Sequence, residues 1–508
     1  MKASWLMCLV CWAAAAAAAQ QAPPGVFDVR AHGATGDGKT NDTRAIQQAI
    51  DACARAGGGT VHLPAGTFLS GTLVLKSNVT LYLSGGATLA GSRKIEDYQP
   101  NHLIYAKGAE NIGIEGPGRI EGNGDAFWYP DFKPHKRRPS PLIELVDCRD
   151  VRIRDVRIRN TPGWGIHPLN CERVEIRGIS IISPMQGPNT DGIDPDSSRH
   201  VIIADSYIET GDDCIVLKTT GRAGMPARAC ENVIVNNCVL VSDDAALKLG
   251  TESHGDFRHI VFSNIVIRKT RVGLAIYAKD GGVFEDVSFS NISIETFPTH
   301  PNSAEYPIYI DLEKRFPDSR QSRVRRINFS DLMLATKGRV LVGGMPDQPV
   351  EDVAFRGVTM RVTGFEPVEK MSKPRGSSNV GRVEPEADYS SVPAAWVFAN
   401  VRGLHLRDLK LVWAADAPLL ERHAVYAKGV EDLIVSGFHG RQAKPDGSLA
   451  VFGLDHAKNV FISGSVAAAG AGAFASVRGV SADELVLEGN DLRNARERLG
   501  GRTHIHGK

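Results

Sequence analysis

Two short acidic motifs near the middle of the chain hold the residue types best suited to chemistry. One reads Asn-Thr-Asp-Gly over residues 189–192, and the other reads Gly-Asp-Asp-Cys over residues 211–214. Hydrolysis of a glycosidic bond needs one carboxyl group that stays protonated and a second that stays ionised. Either motif alone is ordinary turn chemistry between strands. Because they are about one structural repeat apart, they predict instead an acid site formed by Asp191, Asp212 and Asp213.

The elements that position these motifs come from a repeat. Pairs of short alternating apolar strands, bent at a polar corner, recur mostly 23 to 32 residues apart. Their first apolar positions are Val151, Val174, Val201, Val233, Ile260, Val287, Ile327, Val353, Leu404, Leu433, Val460 and Leu485. Such a period, without helical segments between the strands, is typical of a solenoid whose inward side chains pack on the coils above and below. The sequence therefore predicts an all-β fold, a right-handed single-stranded parallel β-helix with a short N-terminal capping helix.

Two longer steps interrupt the repeat and predict insertions. A step of 40 residues precedes Ile327 and a step of 51 residues precedes Leu404, which places insertions near residues 298–322 and 363–393. Both segments are rich in Pro, Gly and charged residues, so we interpret them as surface loops and not as domain linkers. The otherwise continuous repeat predicts a single β-helix domain over residues 20–508.

The first 19 residues have the pattern of an export signal. A charged start at Lys2 is followed by an apolar run through Trp12 and a row of alanines that ends at Ala19. This pattern predicts a cleaved signal peptide over residues 1–19 and a periplasmic or extracellular protein. The run is too short to span a membrane comfortably, and Cys11 lacks the preceding small residue of a lipoprotein, so we expect no membrane anchor.

Charge and cysteine content narrow the class further. The net charge is +1 and no basic stripe is interleaved with aromatic residues, so we expect no nucleic-acid partner. Six cysteines follow the signal: Cys53, Cys148, Cys171, Cys214, Cys230 and Cys238. Export permits disulfides, whereas the equivalent places of Cys148 and Cys171 in successive repeats suit a stack of reduced thiols. The mature chain has no CxxC pair, which gives a structural zinc site little support.

A glycine-rich segment near the N-terminus imitates a nucleotide-binding motif. Residues 33–40, Gly-Ala-Thr-Gly-Asp-Gly-Lys-Thr, match the phosphate-loop pattern letter for letter. A nucleotide hydrolase would continue with alternating strands and helices, but here strand follows strand. We interpret the segment as a turn before an amphipathic helix with Ile46, Ala49, Ile50 and Cys53 on one face. Such a helix would close the open end of the solenoid.

Several of these motifs carry a family resemblance over roughly residues 27–492. Phe-Asp-Val at 27–29 with Gly-Asp-Gly-Lys-Thr-Asn-Asp-Thr at 36–43 resembles the entry segment of the pectate-lyase-like β-helix superfamily. Gly-Pro-Gly-Arg-Ile-Glu-Gly-Asn-Gly at 116–124, Trp-Gly-Ile-His-Pro at 164–168, Asn-Thr-Asp-Gly-Ile-Asp at 189–194 and the motif at 211–214 resemble glycoside hydrolase family 28, the polygalacturonase family.

That resemblance implies a parallel β-helix that hydrolyses pectin with inversion, without a metal or other cofactor. It implies Asp212 as the general acid, while Asp191 and Asp213 hold the attacking water. An inverting pair needs roughly 6.5–9.5 Å between the acid and base carboxyl groups. The resemblance also implies a carbohydrate partner, and we expect a monomer.

Two motifs of the resembled family are missing. Ala245 stands where the family usually has the histidine of Gly-His-Gly, and Ala275-Ile276-Tyr277 stands in place of Arg-Ile-Lys. In the family, that arginine and lysine grip a galacturonate carboxylate on the leaving-group side. Their loss predicts a leaving-group sugar held in another way, which favours rhamnogalacturonan-type or branched pectic fragments over smooth polygalacturonan.

Other residues are candidates for substrate binding. Strand alternation turns Lys218 and Lys248 outward beside the acidic corners, where each could bind a substrate carboxylate or neutralise a neighbouring aspartate. Tyr277 could stack on a neutral sugar or pack on the outer face of the sheet. The remaining candidates are Trp128 in a Pro-rich basic loop, His167 one coil below Asp191, Glu252 and His254. A His-Pro corner packed for structure is the competing interpretation of His167.

Two other function classes remain open at this stage. A uronate lyase on the same fold would use clustered acids such as Asp243 and Asp244 to hold calcium. Lyase products absorb in the ultraviolet and a chelator abolishes the activity, whereas hydrolysis shows neither effect. A non-catalytic carbohydrate-binding β-helix would tolerate Asp→Asn changes at the acid site.

Overall fold

The computed structural model describes residues 25–222, 224–297, 304–364, 392–415, 420–445 and 447–500. Their strands coil into the predicted right-handed parallel β-helix, in which each coil pairs in parallel with the next. The predicted signal peptide, residues 1–19, and most of the predicted insertion near residues 363–393 lie outside the described residues. No helix in the described part of the chain is long and apolar enough to cross a membrane.

The largest sheet forms two faces of the coil and contains 28 strands within the described residues. These strands are Val26–Asp28, Asp37–Asn41, Gly59–Leu63, Gly66–Ser70, Val79–Leu83, Ala87–Gly91, Glu110–Glu115, Arg119–Glu121, Arg149–Arg154, Arg157–Arg159, Glu172–Arg177, Ser180–Ile182, Arg199–Ala204, Tyr207–Thr210, Cys230–Asn236, Val239–Ser242, Phe257–Thr270, Val283–Thr296, Arg323–Thr336, Val350–Arg356, Thr359–Val362, Val401–Arg407, Lys410–Trp413, Glu431–Ser436, His439–Gly440, Lys458–Ser463, Val466–Ala467 and Leu485–Glu488.

The remaining face is made of two shorter sheets, and it carries the acid site. The first contains Leu73–Val74, Ile104–Lys107, Ile143–Val146 and Ile166–Leu169. The second contains Ile215–Thr219, Ala245–Ser253, Val272–Ala278, Tyr306–Leu312, Val340–Gly343, Ala394–Ala399, His423–Lys428, Phe452–Asp455, Ala471–Arg478 and Ala495–Gly500. Short 3-10 helices lie at Val29–His32, Ile95–Asp97, Gly124–Phe127 and Ala482–Glu484.

The core consists of columns of like side chains, one from each coil. The twelve apolar positions predicted to repeat, from Val151 to Leu485, pair with one another in a single column. Phe262, Phe289 and Phe329 stack beside it, with ring centroids 4.9 and 5.0 Å apart. Each side chain in a column is buried by the side chains of the coils above and below. The coil therefore needs no second layer of secondary structure to cover its core.

Polar corners repeat as regularly as the core. Asn237, Asn264 and Asn291 all adopt positive φ angles, between 53° and 56°, which asparagine tolerates better than most residues. Their side-chain amides hydrogen-bond along the stack, at 3.4 Å from Asn264 to Asn237 and at 2.8 Å from Asn291 to Asn264. The same corner chemistry explains why asparagine or aspartate recurs at the polar corners of the sequence repeats.

The N-terminal cap is the helix Thr43–Arg55, whose predicted apolar face is buried. The structure also explains the glycine-rich segment that imitates the phosphate-loop pattern. The carboxylate of Asp42 accepts hydrogen bonds from Thr35 N at 2.8 Å and from Gly36 N at 3.0 Å. The loop amides that would hold a phosphate are therefore occupied by the protein's own carboxylate, and the segment is a structural turn.

One sequence prediction about the insertions is wrong. Residues 306–312 of the predicted surface loop at 298–322 form a strand of the ten-stranded sheet, paired with Val272–Ala278. Alternation explains this placement, because Ile308, Ile310 and Leu312 point into the core. The six cysteines are buried and free, which favours the thiol stack over disulfides.

Candidate active site

A close approach of two neighbouring coils brings the acidic motifs together. Gly192 N donates a hydrogen bond to the carbonyl oxygen of Asp213 at 2.9 Å. A Cβ atom on Gly192 would lie 2.5 Å from the carbonyl oxygen of Cys214, so glycine is needed for the two backbones to approach. This contact places Asp191 beside Asp213.

The three predicted catalytic aspartates form one cluster. One carboxylate oxygen from each of Asp191, Asp212 and Asp213 lies within 4.8 Å of the other two. Asp191 and Asp213 are buried, at 3% and 1% exposure, whereas Asp212 is half-buried. Asp212 is therefore the carboxyl group of the cluster that a ligand reaches most easily.

The three carboxyl groups differ in their hydrogen bonds. Asp212 Oδ1 accepts from Asp213 N at 2.9 Å. Both oxygens of Asp213 are engaged, Oδ1 by Ala245 N at 3.2 Å and Oδ2 by Lys248 Nζ at 2.6 Å. Asp191 Oδ1 has no hydrogen-bond partner among the described residues. Because donors stabilise a carboxylate, Asp213 is the member of the cluster best held in its ionised form.

Burial and mutual repulsion raise the pKa values of the cluster. Burial raises the pKa of Asp212 well above its usual value, and the charges of Asp191 and Asp213 raise it further. Burial and the charge of Asp194 have the same effect on the pKa of Asp191. Burial also raises the pKa of Asp213, but the ammonium of Lys248 opposes this rise. The cluster therefore retains protons at a pH where isolated aspartic acids have lost them.

Two lysines on the outward face of the adjoining strands are paired with acids of the protein. Lys218 Nζ lies 3.3 Å from Glu252 Oε2, 3.7 Å from Asp194 Oδ1 and 3.9 Å from Asp191 Oδ2. Lys248 Nζ bonds Asp213, and the two lysine residues are only 4% and 6% exposed. Of the two interpretations open from sequence, these contacts match neutralisation of the acid cluster.

Asp194 and Trp164 flank the cluster on the side of the preceding coil. Asp194 is fully buried, and neither of its carboxylate oxygens has a hydrogen-bond partner in the described part of the chain. Burial raises its pKa to about 7. Trp164 is half-buried, and its ring centroid lies 4.6 Å from Lys218 Nζ. Sequence reasoning missed Asp194, although its outward position just after the inward Ile193 could have indicated it.

The structure corrects the prediction that His167 binds substrate. His167 is fully buried, with Nδ1 2.6 Å from Glu144 Oε2 and Nε2 3.4 Å from Asp196 Oδ2. Burial opposes its charged form, but the hydrogen bonds that the imidazolium donates to Asp196 and Glu144 raise the pKa of His167 to about 9. A protonated imidazole between two carboxylates is a structural element behind the site, as the competing interpretation held.

Two aromatic candidates are also covered by protein. Trp128 is 8% exposed and its Nε1 donates to the carbonyl oxygen of Pro162 at 2.9 Å, so its ring supports the loop and does not form an open platform. Tyr277 is 3% exposed and packs 5.3 Å from Tyr309, which corrects the prediction that a sugar stacks on its face. The alternative interpretation, that Tyr277 packs on the outer face of the sheet, describes the ring of Tyr277 but not its hydroxyl group.

Glu252 and His254 lie at the edge of the site, joined by an arginine that sequence reasoning missed. Arg315 Nη1 lies 3.2 Å from Glu252 Oε1, and Arg315 Nη2 lies 2.9 Å from Asp280 Oδ2. His254 is more exposed, with Nδ1 3.9 Å from Asp280 Oδ2. Arg315 follows the strand Tyr306–Leu312, within the segment interpreted as a loop, so periodicity gave no signal for it.

Two further arginines near the cluster carried no distinct sequence signal. Arg138 lay within a run of charges, and it binds the turn before Asp191 through Pro188 O at 2.7 Å and Asn189 Oδ1 at 3.0 Å. Arg271 is 5% exposed and its Nη2 bonds Asp244 Oδ1. This salt bridge pairs Asp244, one of the acids of the lyase alternative, with a cation of the protein.

Comparison with known proteins identifies the family. The model for glycosyl hydrolases family 28 matches residues 53–372, more than half of the chain, and the chain therefore belongs to that family. A probable polygalacturonase from Vitis vinifera is 32% identical over 286 residues, covering 49% of this chain and 57% of the relative. An exo-poly-alpha-D-galacturonosidase from Dickeya chrysanthemi is 29% identical over 315 residues, covering 50% of this chain and 52% of the relative. The matched region thus spans little more than half the length of these relatives.

Solved structures support the fold independently. An exopolygalacturonase from Thermotoga maritima superposes with a TM-score of 0.58 at 25% identity, covering 67% of this chain and 88% of that one. A family 28 exopolygalacturonase from Yersinia enterocolitica gives a TM-score of 0.59 at 22% identity, covering 81% of this chain and 79% of that one, and shows the fold alone.

Proposed function

We propose that this protein is an exported glycoside hydrolase that cleaves galacturonate-containing pectic chains by inverting hydrolysis. The observation that carries the proposal is the cluster of Asp191, Asp212 and Asp213 within 4.8 Å, neutralised by buried lysines, in a chain of family 28. The names of its relatives, which are polygalacturonases, support the pectic substrate. Export rests on the signal-peptide pattern of residues 1–19.

Each aspartate has a separate role in the proposed reaction. Asp212 donates a proton to the glycosidic oxygen, because its pKa is raised and it is the most accessible member of the cluster. Asp213, held ionised by Lys248, accepts a proton from the attacking water. Asp191 Oδ1, which has no partner among the described residues, is available to orient that water. In this scheme the side chains of the three aspartates and one water molecule carry both proton transfers.

The test is the substitution Asp212→Asn. It removes the proton donor and keeps the side-chain size, so we expect turnover on pectic oligosaccharides to fall by several orders of magnitude with an unchanged melting temperature. The matched control is Asp331→Asn, which alters an exposed corner aspartate whose side chain is 64% exposed. An Asp212→Asn protein that turns over at near wild-type rates would refute the assignment.

Two measurements define the substrate and the stereochemistry. Trigalacturonate and a rhamnose-containing oligomer should be compared by kcat/KM, because the loss of two cations at Ala275 and Tyr277 predicts a preference for the rhamnose-containing chain. Inversion rests on the family resemblance, whereas the closest oxygens, within 4.8 Å, lie nearer than the roughly 6.5–9.5 Å between carboxyl groups that inversion requires. NMR of the first anomer released distinguishes inversion from retention of the anomeric configuration. A retained anomer would rule out inversion.

A further inference from the structure

Two neighbouring arginines on the outer surface of the largest sheet have no acidic partner. Arg119 and Arg157 occupy the same outward position on the paired strands Arg119–Glu121 and Arg157–Arg159. Both side chains are exposed, and neither forms a salt bridge with an acid of the described chain. Like charges directly opposite each other on neighbouring strands are destabilising. The fold gains nothing from this pair, whereas an anionic ligand would be attracted by it.

Arginines on the neighbouring face of the same sheet are arranged differently. Arg199 is in register with Glu172, and Arg199 Nη2 lies 2.8 Å from Glu172 Oε2. Arg258 is in register with Glu231, and Arg258 Nε lies 2.6 Å from Glu231 Oε2. Opposite charges thus face each other from coil to coil on that face. The unpaired arginines are therefore a local feature and not a general property of the coil.

A third arginine adds to this positive charge. Arg159 is half-buried, and its Nη1 donates to Ile158 O at 2.8 Å and to Ser180 O at 3.1 Å. Burial lowers the pKa of Arg159, and the charges of Arg157 and Arg119 lower it further. Three cations therefore lie together, and no described carboxylate is in direct contact with them.

An apolar surface continues the same row along the helix axis. Beyond Arg157 the outward position is held in successive coils by Ser180, Tyr207, Val239 and Val266. Tyr207 is 37% exposed, and its hydroxyl group donates to Glu209 Oε2 at 2.8 Å. Neighbouring parallel strands are spaced at about 4.8 Å, so the row from Arg119 to Val266 is about 24 Å long. This length accommodates several units of an extended sugar chain.

A groove adjoins the aromatic end of the row. Its volume is about 310 Å³, and its lining includes Tyr207, Val239, Val241, Glu209, Arg268 and Lys269. Lys269 is exposed and has no ion-pair partner in the described part of the chain. Apolar walls with a few charged groups at the edge are typical of a ligand site. The surface thus combines an exposed aromatic ring with unpaired cations on both sides of it.

We propose that this strip, defined as Arg119, Arg157 and Tyr207 with the adjoining groove, binds an acidic polysaccharide chain outside the catalytic cleft. Guanidinium groups bind carboxylates through charge-assisted hydrogen bonds, and the ring of Tyr207 offers an apolar surface to a sugar. The acid cluster lies on the face made of the two shorter sheets, whereas the strip lies on the largest sheet. The inference goes beyond the proposed hydrolase function and takes from it only the class of ligand.

The experiment measures binding of polygalacturonan by affinity electrophoresis in the Asp212→Asn background, so that the chain is not consumed. The test variant carries Arg119→Gln and Arg157→Gln. We expect its Kd for polygalacturonan to rise roughly fivefold, because exposed charge pairs are individually weak. Binding of fully methyl-esterified polygalacturonan, which lacks the charges, should not change. The matched control carries Arg199→Gln and Arg258→Gln, which remove the same charge from the neighbouring face, and should bind both chains like the parent.

Two further measurements separate the strip from the cleft and from a protein interface. In proteins that retain Asp212, the two arginine changes should leave kcat/KM on trigalacturonate unchanged. Tyr207→Thr keeps a residue suited to a strand and should weaken binding of both polymers, because the ring is the part of the strip that does not depend on charge. Sedimentation velocity of the wild-type protein and of Tyr207→Thr reports whether a second copy of the chain occupies the strip.

Four results overturn the inference: an unchanged Kd in the double variant, an equal loss in the control variant, an equal loss of kcat/KM on trigalacturonate, or a wild-type dimer that dissociates in Tyr207→Thr while polygalacturonan binding persists. Failure of the proposed function is distinguishable from these. If the wild-type protein releases no reducing ends from any pectic substrate while the test and control variants still differ in binding, the hydrolase assignment fails and the surface site stands.

Discussion

Replacing His167 by glutamine should destabilise the protein strongly, because the imidazolium lies between two buried carboxylates. The side chains of Glu144 and Asp196 are 2% and 0% exposed. Removing one partner of a buried ionic group costs roughly 3–5 kcal/mol. The raised pKa gives a similar figure, since a shift from 6.5 to about 9 corresponds to about 3 kcal/mol. We therefore expect His167→Gln to lower the free energy of unfolding by about 3 kcal/mol at pH 6.

The pH dependence identifies the charge as the cause. A group whose pKa is raised by folding contributes its full stability below pH 6.5 and loses it as the pH rises through about 9. Urea unfolding should thus show the difference between wild type and His167→Gln shrinking from pH 6 to pH 10. His254→Gln, at a side chain 54% exposed, is the control and should change stability little. An equal difference at both pH values would refute the reasoning.

Two further predictions concern the core and the chemistry. Phe289→Ala removes the middle ring of the Phe262, Phe289 and Phe329 stack and should cost roughly 3–5 kcal/mol in urea unfolding, so an unchanged midpoint would contradict the column packing. EDTA should leave activity intact and the products should not absorb at the wavelength of an unsaturated uronate, because Lys218 and Lys248 already neutralise the acid cluster. Loss of activity with chelator, together with absorbing products, would establish the lyase alternative.

The fold was predictable because the same packing of inward apolar side chains recurs in every coil of a β-helix. An inward apolar side chain must stack on its counterpart, so the spacing from Val151 to Leu485 is enough to predict the register of the coils. The strand Tyr306–Leu312 was not predicted. It lies within a long step of the repeat, among Pro-rich and charged residues, and only three alternating apolar residues indicate it. Composition averaged over an insertion hides a short strand within it.

The acid cluster was predictable and its surroundings were not. Asp191, Asp212 and Asp213 follow from motifs at repeat spacing. Exposure of an outward side chain does not follow from alternation, because neighbouring outward side chains can cover it. His167 is buried between Glu144 and Asp196, and Tyr277 is buried beside Tyr309. The repeat does not encode which side chains of adjacent coils meet on this face.

Unpaired polar atoms of opposite character lie on the two sides of Asp212 along the coil. Among the described residues, unpaired acceptors occur in the coil of Asp191 and Asp194, and unpaired donors occur three coils later, at Arg271 and Tyr277. Neighbouring parallel strands are spaced at about 4.8 Å, so these groups are separated by roughly 14 Å along the helix axis. Asp212 lies between them. The hydrogen-bonding partner that is lacking therefore changes from a donor to an acceptor across the acid cluster.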